Sequence, residues 1–317
     1  MQYAFHDFHP PAEDLLGEVL GGLTCLPKRL PPKFFYDRRG SQLFDAITRL
    51  PEYYPTRTEI GILQEQGEAI AEHLGHDPVL IELGSGSPRK IRVLLDSLHP
   101  AVYMPVDISA EHLRDSASHI ARDYPEMQVE AVCADYSASL HLPDLLQEAA
   151  RAAFFPGSSI GNFEPAAAVA LLRDIGEVLG PGGAMLIGVD LKKDWQKLEA
   201  AYNDTRQLTA AFNLNLLTRI NREAGADFDI TRFAHRAFYN EVEGRIEMHL
   251  ASTCDQQVHI DGQCIGFGAG ETIHTENSYK YSVEEFQELG MEAGYEAERV
   301  WTDPDELFSV HCLRVAG

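Results

Sequence analysis

Acidic residues and glycines stand at the ends of three short apolar segments in the first half of this 317-residue chain. Glu82 precedes a Gly-x-Gly turn in the apolar run that begins at Val79, and Asp107 and Asp135 end the next two apolar runs. Short apolar runs bounded by turn residues are typical of buried strands. Because ligands bind at the carboxyl ends of parallel strands, we expect these groups to meet at one ligand.

The Gly-x-Gly turn, residues 84–86, does not fit the two common phosphate-binding patterns. A dinucleotide fingerprint has a third glycine at its sixth position, where this chain has Arg89. A P-loop is excluded because no Gly-Lys-Ser or Gly-Lys-Thr sequence follows. Glu82 also places negative charge just before the turn, where a phosphate would gain nothing from it. We therefore expect a nucleoside ligand without a phosphate.

The residues around the turn indicate which nucleoside. Asp107 would accept the ribose hydroxyls, Asp135 would accept an adenine amino hydrogen, and Lys90 would meet a carboxylate. Adenine, ribose, a carboxylate and a cationic sulfur together describe S-adenosylmethionine. Each acid alone could equally be a helix cap, so the prediction depends on their combination. The candidate donor-binding residues are Gly84, Ser85, Gly86, Lys90, Asp107, Asp135 and Tyr136.

Alternating elements must position these residues. From about Thr56 to Asp190, helical and strand patterns alternate, which predicts a parallel sheet covered on both faces. A helix and two strands near the end of the chain predict a closing antiparallel hairpin. The predicted fold class is α/β, a Rossmann-like sheet that resembles the class I methyltransferase fold, with a second α+β domain. Short helices are also expected from about Pro11 to Gly22 and from Ser41 onward.

The alternation stops after Asp190. A helical stretch from Leu191 to about Ile220 is followed by strand-like runs, two of which flank a hairpin turn at Asp261-Gly262. We interpret this block as an insertion that packs with the N-terminal segment. The predicted donor-binding domain comprises residues 58–192 and 281–317. The predicted substrate-binding domain comprises residues 1–57 and 193–280.

Composition excludes several classes of function. The net charge is −23, with 26 Lys and Arg against 49 Asp and Glu, whereas a nucleic-acid-binding protein needs a basic surface. The five cysteines show no metal-type spacing, so we expect no metal. We see no secretory leader and no apolar run of membrane-spanning length. We therefore expect a cytoplasmic monomer that acts on a small molecule.

Seven motifs carry a more specific signal, in order along the chain. They are LPPKFFYD at 30–37, LPEYYPTR at 50–57, IELGSG at 81–86, PGSSIGN at 156–162, AYN at 201–203, IEM at 246–248 and HTENS at 274–278. With them, nearly the whole chain resembles the histidine Nα-methyltransferase family of ergothioneine biosynthesis. The placement of the second-strand acid at Asp107 depends on the spacing around it, which is not fixed by any of the seven motifs.

The resemblance implies a reaction and a set of substrate-binding residues. The family converts L-histidine to trimethylhistidine (hercynine) by three methyl transfers, and releases S-adenosylhomocysteine. By position, Tyr36 would border the amine as the catalytic residue. The implied substrate-binding residues are Asn162 and Tyr202 at the carboxylate, with Gly161 beside them, and Tyr53, Met248, Glu276 and Ser278 at the imidazole.

Physical chemistry supports these roles independently. Glu276 and Ser278 are two residues apart in a strand-like run, so their side chains share one face. A carboxylate and a hydroxyl suit a ring that offers N–H donors. Tyrosines near an amine that becomes quaternary can stabilise it by about 0.5–2 kcal/mol through cation–π contact. The chemistry would be in-line displacement by a neutral amine, and no dedicated base stands out.

Three alternatives stay open at the level of sequence. A related enzyme could methylate another aromatic amino acid, such as tryptophan. A ligand-binding or regulatory module could hold the nucleoside without chemistry. The glycine turn could also belong to a nicotinamide-dependent oxidoreductase, which is the most remote of the three alternatives.

Overall fold

The computed structural model describes residues 3–8, 15–86, 88–136, 142–143 and 150–317. This part of the chain falls into two units. The first contains residues 3–8, Pro55–Lys192 and Tyr279–Gly317, and the second contains residues 15–54 and Lys193–Ser278. Among the described helices, none has an apolar stretch long enough to cross a lipid bilayer.

The elements are numbered along the whole described chain. The strands are β1 (Ala4–Asp7), β2 (Lys28–Arg29), β3 (Val79–Leu83), β4 (Val102–Asp107), β5 (Gln128–Cys133), β6 (Arg151–Phe155), β7 (Ala184–Asp190), β8 (Phe233–Asn240), β9 (Arg245–Ser252), β10 (Gln256–Ile260), β11 (Gln263–Phe267), β12 (Thr272–Tyr279), β13 (Tyr295–Thr302) and β14 (Phe308–Val315). The α-helices are α1 (Leu15–Thr24), α2 (Arg38–Ile47), α3 (Tyr54–Leu74), α4 (Pro88–Leu98), α5 (Ala110–Asp123), α6 (Pro165–Leu179), α7 (Trp195–Tyr202), α8 (Leu208–Ala224) and α9 (Val283–Glu292).

The first unit is built on an eight-stranded sheet in the order β1-β5-β4-β3-β6-β7-β14-β13. Strands β1, β5, β4, β3, β6 and β7 are parallel, whereas β14 runs antiparallel to both β7 and β13. The parallel sheet and its closing antiparallel hairpin confirm the predicted fold class. The carboxyl ends of β3, β4, β5 and β6 therefore lie along one edge of the sheet.

Helices bury both faces of this sheet. Every residue of β3 and of β7 is buried, as expected for strands in the middle of a parallel sheet. One apolar cluster joins alternate residues of β3, such as Ile81, to α6 and α9. The other joins the opposite face, which includes Leu80, to α3, α4 and α5. Burying each such aliphatic side chain contributes roughly 1.5–3 kcal/mol to folding.

Strand β1 differs from the predicted division, which assigned all of residues 1–57 to the substrate domain. Ala4 pairs with Glu130 of β5, so these residues lie in the sheet of the first unit. His6 Nε2 is 2.6 Å from Glu130 Oε2, and the Arg114 guanidinium lies 3.8 Å from the centre of the Phe5 ring. The strand has only four residues, which is too short for its periodicity to be recognised.

The second unit contains a four-stranded sheet in the order β2-β12-β9-β8 and the hairpin β10–β11. Strands β8 and β9 are antiparallel, as are β10 and β11. The predicted hairpin turn is confirmed, because Asp261 and Gly262 join β10 to β11 with φ angles of 47° and 74°. Helix α8 packs against β8 and β9, where the Asn213 amide lies 2.9 Å from His235 Nδ1 and donates a 3.0 Å hydrogen bond to the His249 carbonyl.

Helix boundaries depart from the predictions where a side chain caps an end. Helix α2 begins three residues before Ser41, because Asp37 Oδ1 accepts a hydrogen bond of 2.7 Å from the Gly40 N–H. The single helical stretch predicted over 191–220 is wrong: it is two helices, α7 and α8. The Asp204 carboxylate, just before α8, accepts hydrogen bonds from the Leu208 and Thr209 N–H groups at the start of that helix. The start of the helix predicted from Pro11 lies outside the described residues.

Candidate functional site

The backbone of the glycine turn that follows β3 is held by hydrogen bonds from neighbouring elements. Gly84 has a φ of 72°, and its N–H donates a 2.9 Å hydrogen bond to the Val106 carbonyl. A side chain at Gly84 would have its Cβ 3.5 Å from the Tyr136 hydroxyl. The Gly86 carbonyl accepts a hydrogen bond from His112 Nε2, a partner that sequence reasoning missed. The turn is therefore held from both β4 and α5.

Beneath the turn, Glu82 is buried in a hydrogen-bonded group. The Tyr103 hydroxyl of β4 donates to Glu82 Oε2 and lies 3.1 Å from Ser85 Oγ. Burial raises the pKa of the Glu82 carboxyl to about 7, although the hydrogen bonds from Tyr103 and Ser85 and the charge of Lys90 oppose that rise. Tyr103 could not be singled out from the sequence, because it lies inside an ordinary apolar strand.

The predicted ribose and adenine residues lie at the ends of neighbouring strands. Asp107 ends β4 opposite Cys133 of β5, and Asp135 and Tyr136 follow β5 directly. Burial raises the pKa of the Asp107 carboxyl, while a 2.8 Å hydrogen bond from the Ser109 N–H opposes this rise. The structure therefore brings Asp107 to the same edge as the glycine turn, with one oxygen already engaged by the start of α5.

Lys90 has a partner that sequence reasoning missed. Its Nζ lies 2.6 Å from Glu59 Oε2, and the Glu59 side chain on α3 is completely buried. Both Glu59 oxygens also accept from the Gly157 N–H, at 3.1 and 3.0 Å. A signal existed, because Glu59 stands on the helical stripe that buries Ile62 and Leu63. An acid on a buried stripe usually has a specific partner.

The loop after β6, residues 156–164, carries Gly161 and Asn162 and is called the Asn162 loop below. Its 3-10 turn spans Ser159–Asn162, where Gly161 is buried and Asn162 is half-buried. A Cβ on Gly161 would lie 2.7 Å from the Tyr279 carbonyl oxygen, so only glycine fits. The two residues predicted from the PGSSIGN motif thus lie at the carboxyl end of β6.

In the second unit, three predicted tyrosines form a series of ring contacts. Tyr36 meets the edge of Phe44 at 5.9 Å between ring centres, and Phe44 meets Tyr53 at 6.2 Å. Tyr53 then meets Tyr202 at 6.4 Å. The Tyr202 hydroxyl donates a 2.8 Å hydrogen bond to Ser278 Oγ. Residues from the N-terminal segment, α7 and β12, distant in sequence, are thus brought together.

Tyr36 is held by the residues on both sides of it. The Phe35 ring stacks on Phe212 of α8 at 4.6 Å, and Tyr36 meets the edge of the same ring at 5.8 Å. Asp37 accepts hydrogen bonds from Asn215 and Arg222 of α8, at 2.8 and 2.7 Å. Burial alone would raise the pKa of Asp37, but the Gly40, Arg222 and Asn215 hydrogen bonds lower it.

Met248 and Glu276 complete the predicted acceptor residues. Met248 is 1% exposed on β9, and its carbonyl accepts a 3.0 Å hydrogen bond from the Thr275 hydroxyl. Glu276 is half-buried on β12, two residues from Ser278. The predicted pairing of a carboxylate and a hydroxyl on one strand therefore lies on the element that also contacts Tyr202.

Within the described ranges, one group of side chains has the composition of a metal site, namely Glu247, His249 and His274. The two imidazoles stack at 4.6 Å with an angle of 11° between planes, so their in-plane lone pairs do not converge. Glu247 already accepts from Arg245 at 2.9 Å and from Asn240 at 2.9 Å. Burial opposes its ionisation, but the His249, Asn240 and Arg245 hydrogen bonds lower the pKa of Glu247 to about 2. The group has the geometry of a hydrogen-bond network.

Comparison with known proteins finds relatives over most of the chain. The family model described as histidine-specific methyltransferase, SAM-dependent, matches residues 15–315. A histidine N-alpha-methyltransferase of Mycolicibacterium smegmatis is 44% identical over 299 residues, which is 92% of this chain and 92% of the relative. A histidine N-alpha-methyltransferase of Mycobacterium tuberculosis is 42% identical over 295 residues, 90% of each chain.

A solved structure gives an independent comparison of the fold. The PH0226 protein from Pyrococcus horikoshii OT3 is similar with a TM-score of 0.50 and 14% sequence identity, over 88% of this chain and 100% of that chain. At this level of identity the likeness concerns the fold alone.

Proposed function

The chain belongs to the histidine-specific, S-adenosylmethionine-dependent methyltransferase family, and we propose that it methylates the α-amino nitrogen of L-histidine. Three successive transfers would yield hercynine, the first step of ergothioneine biosynthesis. The observation that carries the proposal is the series of Tyr36, Tyr53 and Tyr202 in one unit, ending at the Ser278 hydroxyl. Such a series offers aromatic faces to a forming cation and a hydroxyl to an imidazole.

The donor part of the proposal assigns S-adenosylmethionine to the edge of the first unit. Asp107 would accept the ribose hydroxyls, Asp135 and Tyr136 would border the adenine, and Lys90 would bind the methionyl carboxylate. Gly84, Ser85 and Gly86 would let the backbone approach the nucleoside, because two of these positions carry no side chain. The bound donor supplies an electrophilic methyl group and leaves as S-adenosylhomocysteine.

The acceptor part assigns each end of histidine to its own residues. Glu276 and Ser278 would accept hydrogen bonds from the imidazole, with Tyr53 and Met248 against the ring. Asn162 and Tyr202 would hold the α-carboxylate, with Gly161 leaving room for it. These residues offer a carboxylate, hydroxyls and an amide, which together match the donors and acceptors of histidine.

The amine must be neutral at each attack, because a protonated nitrogen has no lone pair for the methyl carbon. Tyr36 would be the catalytic residue beside the amine, where its hydroxyl can relay the departing proton to water. Its aromatic ring, and that of Tyr53, would stabilise the product cation by about 0.5–2 kcal/mol per favourable contact. Most of the rate would come from holding nitrogen and methyl in line.

A product-mass assay tests the proposed function. Purified protein, S-adenosylmethionine and histidine should give products heavier by one, two and three methyl groups, with S-adenosylhomocysteine formed in equal amount to the methyl groups transferred. Tryptophan, offered in competition, should be methylated much more slowly. Absence of any histidine product, or preference for tryptophan, would refute the proposal.

We further infer that the enzyme works without a metal, as a monomer in the cytoplasm. The hydrogen-bonded arrangement of Glu247 with Arg245 supports the first inference. The net charge of −23 disfavours polyanionic partners such as nucleic acid. Activity should survive a metal chelator, and light scattering should give the mass of one chain. Loss of activity in the chelator, reversed by one metal ion, would contradict the first inference.

A further inference from the structure

Two contacts join the Asn162 loop to Tyr279, the last residue of β12. The Tyr279 hydroxyl donates a hydrogen bond to Glu164 Oε2 at the end of the loop. Inside the loop, the Tyr279 backbone leaves no room for a side chain on Gly161. Tyr279 is 4% exposed, whereas Glu164 is exposed, so this hydrogen bond joins a buried residue to a surface carboxylate. Asn162 therefore lies between Gly161 and Glu164, both of which are next to Tyr279.

A buried ion pair fixes the chain just after Tyr279. Lys280 Nζ is 2.7 Å from Asp190 Oδ2, and both side chains are 1% exposed. The Asp190 N–H in turn donates a 2.9 Å hydrogen bond to Ser158 Oγ at the start of the loop's 3-10 turn. The contacts of Tyr279 are thus made from a backbone that is itself immobilised.

We propose that Tyr279 is a positioning residue for Asn162, and that it sets the affinity of the enzyme for the substrate carboxylate. The proposal rests on the proposed function for the role of Asn162. Loss of the Tyr279 hydroxyl breaks its hydrogen bond to Glu164 at the end of the loop that carries the Asn162 amide. Donor binding should not change, because the hydroxyl acts at the Glu164 end of the loop, whereas Gly157 at the other end keeps its hydrogen bonds to Glu59.

The chain offers a matched control two residues away. Within the part of the chain that the structure describes, the Tyr281 hydroxyl is buried without a hydrogen-bond partner. Tyr281 is 7% exposed and its ring lies 6.4 Å from that of Tyr279. Tyr281→Phe therefore removes the same atom from a neighbouring buried tyrosine without breaking a hydrogen bond.

The test compares binding of histidine and of histamine, which lacks the carboxylate, to full-length protein saturated with S-adenosylhomocysteine. Tyr279→Phe should weaken histidine binding about three- to tenfold, the size expected for one hydrogen bond. Histamine and S-adenosylhomocysteine affinities should stay within about twofold of the unsubstituted protein. Tyr281→Phe should leave all three affinities unchanged. Equal weakening of histidine and histamine, or no weakening of either, would overturn the proposal.

Hydrogen exchange gives a second readout that needs no substrate. The Gly161 and Phe163 N–H groups donate within the loop, to the Ser158 and Ile160 carbonyls. Their exchange should be about three- to tenfold faster in Tyr279→Phe than in Tyr281→Phe. Equal rates in the two variants would refute the positioning role. If the unsubstituted protein binds histidine but forms no product, the proposed function fails while both of these readouts remain decisive.

Discussion

A single buried carboxylate controls the lysine that would bind the methionyl end of the donor. Glu59 is completely buried and contacts both Lys90 and the Gly157 N–H. The buried carboxylate thus fixes the direction of the Lys90 ammonium, which has three donor hydrogens in all. Under the proposed function, Glu59 would therefore act on the donor through Lys90.

Glu59→Gln should weaken S-adenosylhomocysteine binding about tenfold or more, because a neutral amide holds the Lys90 ammonium less strongly. Isothermal titration calorimetry measures this affinity directly. Glu65→Gln, an exposed change on the same helix, is the matched control and should have no effect. Equal donor affinity in both variants would show that Lys90 needs no positioning.

The Glu82 carboxyl should make the free energy of unfolding decrease as the pH rises, which is opposite to the usual effect of a carboxyl group. Its pKa is about 7 when folded against a usual value of 4.5, so the folded protein retains a proton that the unfolded chain releases. Its contribution to stability is therefore complete below about pH 4.5 and decreases as the pH rises to about 7.

Glu82→Gln should remove this dependence. Relative to the unsubstituted protein, the variant should gain roughly 3 kcal/mol in free energy of unfolding between pH 4.5 and pH 8. Urea unfolding of the ligand-free protein at both pH values measures the difference. Glu126→Gln, on the surface, should show no such trend. A pH-independent difference for Glu82→Gln would contradict the assigned pKa.

At the scale of elements, local signals predicted well and long-range pairs did not. The segment formed by β3, the glycine turn and α4 could be predicted, because an apolar run, a Gly-x-Gly sequence and an amphipathic helical pattern follow one another directly. The positive φ of Gly84 agrees with that turn. The Lys280–Asp190 pair joins residues far apart in sequence, and neither residue differs locally from a solvated charge. Glu59 and Lys90 each had a local signal, but their pairing with one another did not.

Lys280→Met should strongly destabilise the first unit. Removing one member of a buried ion pair leaves the other charge without compensation, which costs about 3–5 kcal/mol. Lys192→Met is the matched control, because its pair with Glu285 is exposed and such pairs contribute about 0–1 kcal/mol. Urea unfolding of the two variants measures both losses. A loss below about 1 kcal/mol in Lys280→Met would show that Asp190 finds another partner.

At the scale of the whole molecule, the interruption of the β–α alternation at Asp190 could be recognised from the sequence. It marks a change of unit that the structure puts between Lys192 and Lys193. The assignment of β1 to the first sheet was not readable, because four residues carry too little periodicity. The ring contacts that link Tyr36 to Tyr202 could not be predicted from the sequence either, since the two residues lie far apart along the chain.

Hydrogen exchange can assign each ligand to a unit. S-adenosylhomocysteine alone should slow exchange in peptides that contain residues 84–86 and 134–136 of the first unit. Histidine, added afterwards, should slow exchange in peptides that contain Tyr36, Tyr53 and Tyr202. The β10–β11 hairpin serves as the internal reference, with no change expected. Protection of the tyrosine peptides by S-adenosylhomocysteine alone would reverse the assignment.

Gly161 bears on how the enzyme could be redesigned. A Cβ there would fall 2.7 Å from a main-chain oxygen, which cannot swing aside as a flexible side chain could. Saturation libraries aimed at new amine acceptors should therefore omit position 161 and put their diversity at Met248, Glu276 and Tyr53. Under the proposed function, side chains would bound the acceptor at those three positions, so a new acceptor would be accommodated there by exchanging one side chain for another.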